Sequence, residues 1–92
     1  MAKHWLKTWP RFFAAVETGI KRFEIRRNDR DFKIGDLVVL EEWEPETEAY
    51  SGRKIDALIT YVTDFEQKPD FIVFGFLALP PASPAPPPPR NE

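Results

Sequence analysis

Residues 19–36 read G-I-K-R-F-E-I-R-R-N-D-R-D-F-K-I-G-D, and the fold turns on them. Gly19 stands where a helix should stop, because glycine takes up the left-handed C′ conformation without a Cβ clash. Ile20 is placed to make the apolar contact that accompanies such an end. Phe23 and Ile25 then alternate with Arg22, Glu24 and Arg26, a period of two that predicts a strand. Residues 28–31 are rich in turn formers, and Gly35-Asp36 leads into the next apolar run. A helix therefore hands over to β-structure here. The hand-over gathers Lys21, Glu24, Arg26, Arg27 and Arg30 around three apolar anchors, Phe23, Ile25 and Phe32.

Upstream, Thr8 and Pro10 mark a helix start, with proline tolerated in the first turn where its missing N–H costs nothing. Phe12, Phe13 and Val16 fall on one face of this helix of about three turns, and Trp5 and Leu6 fit an N-terminal strand. Downstream, the apolar run from Leu37 to Leu40 continues to Trp43, and the polar stretch from Glu44 to Gly52 reads as the long loop of a hairpin. A returning strand is expected over about 54–63, a turn over 64–70, and a last strand over 71–79. Gly75 within that strand suggests a bulge or a close backbone approach. The sum is an α+β protein: a small, strongly curved sheet or β-barrel of about five strands, capped by one N-terminal helix.

Ninety-two residues make one small domain, which buries only about 60–65% of its unfolded surface. The folded part is expected over residues 1–79. Residues 80–92 hold seven of the ten prolines and are expected to form a disordered, polyproline-like tail, a spacer or a ligand for an aromatic-lined groove. The chain has no cysteine, which excludes disulfides, a thiolate nucleophile and a cysteine zinc site. No apolar run approaches a membrane span and no signal-peptide pattern is present. A cytoplasmic monomer that does not engage membranes is the expectation. The net charge of −2 hides an asymmetry: residues 1–40 carry nine Lys/Arg against five Asp/Glu, and residues 41–79 carry three against nine. A basic half of this kind suits an anionic, phosphate-bearing partner, although small domains also segregate charge without functional cause.

Standard catalytic patterns are absent. Ser51 and Ser83 lie outside any nucleophile elbow, the lone His4 and scattered carboxylates offer no metal-ligand spacing, and the four glycines form no phosphate loop or dinucleotide fingerprint. No metal or cofactor is expected. The charged strand remains. Arg22, Glu24 and Arg26 should share one face, and the bland account is a surface ion-pair row worth about 0–1 kcal/mol per pair. The sharper account puts Glu24 at a pocket mouth, accepting a base N–H, with Arg26 or Lys21 on a phosphate or carbonyl oxygen. Lys21, if buried, would be poised as a general base or nucleophile. Arg27, Arg30, His4 and Lys7 are further candidates for ligand contact. Trp5, Trp9, Trp43 and Tyr50 are either core residues or stacking surfaces for bases.

These residues resemble a known family. H-x-L-K at 4–7, W-P-x-F-F at 9–13, G-x-K-x-F-E-I-R at 19–26, N-D-R-D-F at 28–32, G-D at 35–36 and the run from Glu41 to Arg53 are similar to ASCH domains. The likeness is to their small branch common in bacteria and phages, and it covers about residues 4–79. It implies a PUA-like β-barrel with a cleft lined by Lys21, Glu24 and Arg26 that engages RNA or a modified nucleoside. Some ASCH relatives are amidohydrolases that deacylate N4-acetylcytidine with a Lys, a Thr and a Glu. Lys21 matches the Lys, Glu24 occupies the Thr position, and Asp64 or Glu66 would be the nearest substitutes for the second acid. Three functions follow as expectations. They are an RNA- or nucleotide-binding module, an amidohydrolase with Lys21 and Glu24 as catalytic groups, and a protein-interaction module using the acidic 41–50 segment or the proline tail.

Overall fold

The computed structural model describes residues 1–81; the tail expectation for 82–92 lies outside the described residues. The elements are β1 (Lys3–Thr8), α1 (Pro10–Glu17), β2 (Phe23–Arg27), β3 (Leu37–Glu44), β4 (Ala49–Thr63) and β5 (Phe71–Ala78). They form an α+β fold whose five strands make one curled sheet in the order β1-β3-β4-β5-β2. β1 lies parallel to β3, and the remaining neighbours are antiparallel. The sheet is a half-barrel: among the described residues β1 and β2 are its two edges, and no ladder joins them.

The concave side holds the core, formed by Leu6, Val16, Phe32, Val38, Leu40, Ala57, Ile59, Ile72, Phe74 and Phe76. Strand periodicity explains the membership. In β1 the even positions His4, Leu6 and Thr8 are buried while Lys3, Trp5 and Lys7 face out, and β5 alternates in the same way through Ile72, Phe74 and Phe76. The helix adds Phe13 and Val16.

Several expectations are corrected. Thr8 belongs to β1 and does not start the helix. Trp9 precedes Pro10 in extended backbone and caps the helix without a side-chain hydrogen bond. The helix ends as expected at Gly19 (φ +83), whose N–H bonds to the Val16 carbonyl while Ile20 N–H bonds to that of Ala15, a Schellman pattern. Ile20 makes no accompanying apolar contact; it is largely exposed. The hairpin loop is only the four-residue turn 45–48, because β3 and β4 continue as a long ladder with an irregularity at Glu41–Trp43. Most of the acidic 41–50 segment is therefore strand. The extra residue near Gly75 lies across from it, at Thr60 between Ile59 and Tyr61 of β4.

The largest correction concerns β2. Phe23 and Ile25 are exposed and Glu24 is buried, so of the three supposed anchors only Phe32 is in the core. Pairing with β5 sets this facing. Glu24 stands opposite Phe74 and Arg26 opposite Ile72, both on the concave side, whereas Phe23 and Ile25 stand opposite Gly75 and Val73. Arg22 precedes the strand and is exposed, its Nε donating to the Gly19 carbonyl. The expected Arg22–Glu24–Arg26 surface row does not exist.

Candidate functional site

A cleft of about 390 Å³ opens along the seam between the two edge strands. Its walls are Lys7, Thr8 and Trp9 from β1 and its exit, Phe12 from α1, Lys21, and Phe23 to Arg26 from β2. The volume falls within the range of small-molecule sites, and mostly apolar walls with a few convergent polar groups are their usual chemistry.

Glu24 is the pivot. Its carboxylate is nearly inaccessible, and each oxygen accepts from a different cation: Oε1 from Lys21 Nζ at 2.6 Å, Oε2 from Arg26 Nε at 3.1 Å. The Schellman end of α1 delivers Lys21 to this point. Lys21 Nζ also donates to the Phe23 carbonyl at 2.6 Å, and it lies 5.1 Å from the Phe23 ring and 5.8 Å from that of Phe12. Cations over ring faces gain from the aromatic quadrupole. Lys21 and Arg26 outnumber the single carboxylate, so the cleft is a positively charged, aromatic-walled recess with one buried acceptor; Lys7 borders it, with its ammonium turned to the Trp43 ring. Such a recess can hold a flat ring between aromatic faces and an anion on its cations.

The arginines also latch the seam. Arg26 Nη2 donates to the Lys7 carbonyl at 2.8 Å, and Arg30 Nη1 donates to the Trp5 carbonyl at 2.5 Å. Guanidinium donors thus reach edge carbonyls of β1 from β2 and the loop after it, a side-chain substitute for a closing ladder.

His4 is elsewhere. It is buried, its Nε2 donates to Asp36 Oδ2 at 2.9 Å, and its ring packs edge-on against Phe32. Burial pushes the Asp36 carboxyl up. Hydrogen bonds from His4 and from the backbone N–H groups of Ala2 and Lys33, together with the His4 charge, outweigh this and hold it below the usual carboxylate value. The pair pins the start of β1 to the start of β3. Arg53 bonds Glu17 and lies near Glu42, tying α1 to the β3–β4 hairpin; these partners hold its guanidinium proton even more firmly than usual.

Of the seven residues singled out in the sequence, Lys7, Lys21, Glu24 and Arg26 line the cleft. Arg30 acts through the latch, Arg27 lies over Phe71 on the outer side, and His4 is part of the core. Asp64 and Glu66 sit in the β4–β5 turn and neither lines the cleft; Asp64 borders a second recess of about 320 Å³. Thr8, Phe12, Phe23 and Ile25 are the wall residues that sequence reasoning did not assign to a site. The alternation of β1 could have flagged Thr8, whose hydroxyl is a polar group at an inward position.

Residues 3–76, from β1 to near the end of β5, match the family described as a domain of unknown function, DUF3850. The chain belongs to this family. Every cleft residue lies inside the matched span. A 65-residue stretch is also 43% identical to an uncharacterised 12.9 kDa protein of the GpA 3′ region of Escherichia phage P2, covering 70% of this chain and 58% of that protein. The chain thus spans less than two thirds of the length of that relative.

Proposed function

We propose that the seam cleft binds RNA or a nucleotide-like ligand, in keeping with the resemblance to ASCH domains and their PUA-like fold. The observation that carries this reading is the convergence of Lys21, Glu24 and Arg26 in one recess, with Glu24 buried and doubly paired. A charge desolvated to this extent is costly and seldom improves stability over an apolar packing, so its presence in a cleft favours a ligand role. Trp9, Phe12 and Phe23 offer ring faces to a base, Glu24 accepts a base N–H, and Lys21 and Arg26 meet phosphate or carbonyl oxygens. Titration of short RNAs and nucleotides against wild type, Glu24→Ala and Arg26→Ala tests this: binding should weaken at least tenfold in each variant. Equal, weak binding in all three would reject the proposal.

One observation favours a second reading, hydrolysis of an N4-acylated cytidine-type nucleoside. Thr8 lines the same cleft as Lys21 and Glu24, so a Lys, a Thr and a Glu meet there, although from different elements than the resemblance would place them. In this reading water adds to the acyl carbonyl while Lys21 and Glu24 take its proton, and the C–N bond then breaks with that proton passed to the departing N4 amine. Arg26 steadies the developing oxyanion and Thr8 helps to position the acyl group. Incubation with N4-acetylcytidine and chromatography decide it. Turnover should vanish in Lys21→Ala; no turnover by wild type, or turnover surviving that change, rejects hydrolysis.

A further inference from the structure

We infer that the convex face of β1, β3 and β4 is a stacking track for single-stranded RNA flanking the nucleotide held in the cleft, an inference that rests on the cleft reading above. Lys3, Trp5 and Lys7 point outward along β1. Strand register extends this face: Trp5 lies beside Val39, Lys7 beside Glu41, Glu41 beside Lys54, and Trp43 directly opposite Tyr50. Trp5 and Tyr50 are 52% and 53% exposed, which rules out the core role open to them from sequence alone. An ammonium lies by each indole, Lys3 Nζ 5.3 Å from Trp5 and Lys7 Nζ 4.5 Å from Trp43.

The exposed rings of Trp5 and Tyr50, with the half-buried Trp43 under the Lys7 ammonium between them, interleave with cations in a way that matches a single-stranded polynucleotide, whose bases stack while its phosphates seek positive charge. The acids on this face, Glu41 and Asp56, are half-buried and outnumbered by Lys3, Lys7 and Lys54. The acidic turn carrying Glu46 and Glu48 follows Trp43 and precedes Tyr50, so it marks where the track ends. Lys7 joins track to cleft, because it lines the cleft while its ammonium covers Trp43. A strand with one nucleotide in the cleft therefore passes Lys7 onto the indoles without leaving the surface.

The test compares a labelled hexauridylate with uridine 5′-monophosphate on the full chain, using wild type, Trp5→Leu, Tyr50→Leu and Arg26→Ala. Both Leu variants should weaken the hexamer on the order of 10- to 100-fold while leaving the mononucleotide unchanged. Trp5→Phe should restore most of the loss, and Arg26→Ala should weaken both ligands. Lys3→Ala should lower the salt slope by about 0.7, which reads the track even if a Leu variant folds poorly. A hexamer indifferent to Trp5, Tyr50 and Lys3 overturns the track and leaves the cleft reading standing. Dependence on Trp5 and Tyr50 with none on Arg26 supports the track and removes the cleft. Tighter capture of a decaproline peptide than of the hexamer overturns the assignment to RNA.

Discussion

Glu24→Gln isolates what the buried triad costs and contributes. In the wild type each carboxylate oxygen accepts from a cation, Lys21 on one side and Arg26 on the other. A glutamine at this position keeps one acceptor oxygen and turns an NH2 toward the other cation. One charge-assisted bond weakens and the other becomes a donor–donor contact, at about 1.5–3 kcal/mol for a bond to a charged group. Lys21 and Arg26 side chains are only 16% and 25% exposed, so water recovers part of the loss. A net cost of about 2–3 kcal/mol follows, below the about 3–5 kcal/mol of a fully buried broken pair. The triple change Lys21→Met, Glu24→Leu, Arg26→Met removes all three charges and should lie within about 1 kcal/mol of wild type or above it. Lost desolvation penalty offsets the lost Arg26 bond to the Lys7 carbonyl. Urea unfolding of the full chain measures both. With a slope of about 1 kcal/mol per molar, the single change should lower the midpoint by about 2–3 M and the triple change should move it by no more than about 1 M. A triple variant as unstable as the single one would refute the reasoning, because the triad would then be a stabilising structural unit. A single variant costing under about 0.5 kcal/mol would return it to the class of surface ion pairs.

Other outcomes follow from the same geometry. Asp36→Asn should cost about 1–3 kcal/mol at pH 7. Because the folded pKa of Asp36 is depressed, its contribution is complete above the unfolded value near 3.9 and fades as pH falls through the lower folded value. The acid limb of a stability profile below about pH 4 should therefore be flatter in the variant than in wild type. Arg30→Ala should open the seam, seen as faster amide hydrogen exchange in β1 with little change in β4 and β5. Gly19→Ala places a Cβ at φ +83 and should lower stability by about 1–2 kcal/mol in the same urea assay.

The local features were legible in the sequence. Gly19 announced the helix end because only its backbone freedom suits that position, and the period of two in 23–27 announced β2. Periodicity shows which residues share a face but not which face turns inward. Polarity argued for Phe23 and Ile25 inside; pairing with Phe74 and Ile72, nearly fifty residues downstream, put Glu24 and Arg26 there instead. The second wall of the cleft was equally hidden. Lys7 and Thr8 reach it through the parallel pairing of β1 with β3, which sets Thr8 beside Glu42 across a separation no short motif reports. The surroundings of His4 were hidden for the same reason, since its partner Asp36 meets it only through that pairing.

The cleft claim is tested most directly by mapping a nucleotide onto the backbone amides by NMR. Titrating uridine 5′-monophosphate and hexauridylate into the isotope-labelled full chain should shift the amides of Lys7, Thr8, Phe12 and residues 21–26, and Glu24→Gln should abolish those shifts. Shifts confined to the second recess around Asp64 to Phe71, or none at millimolar ligand, would contradict the account.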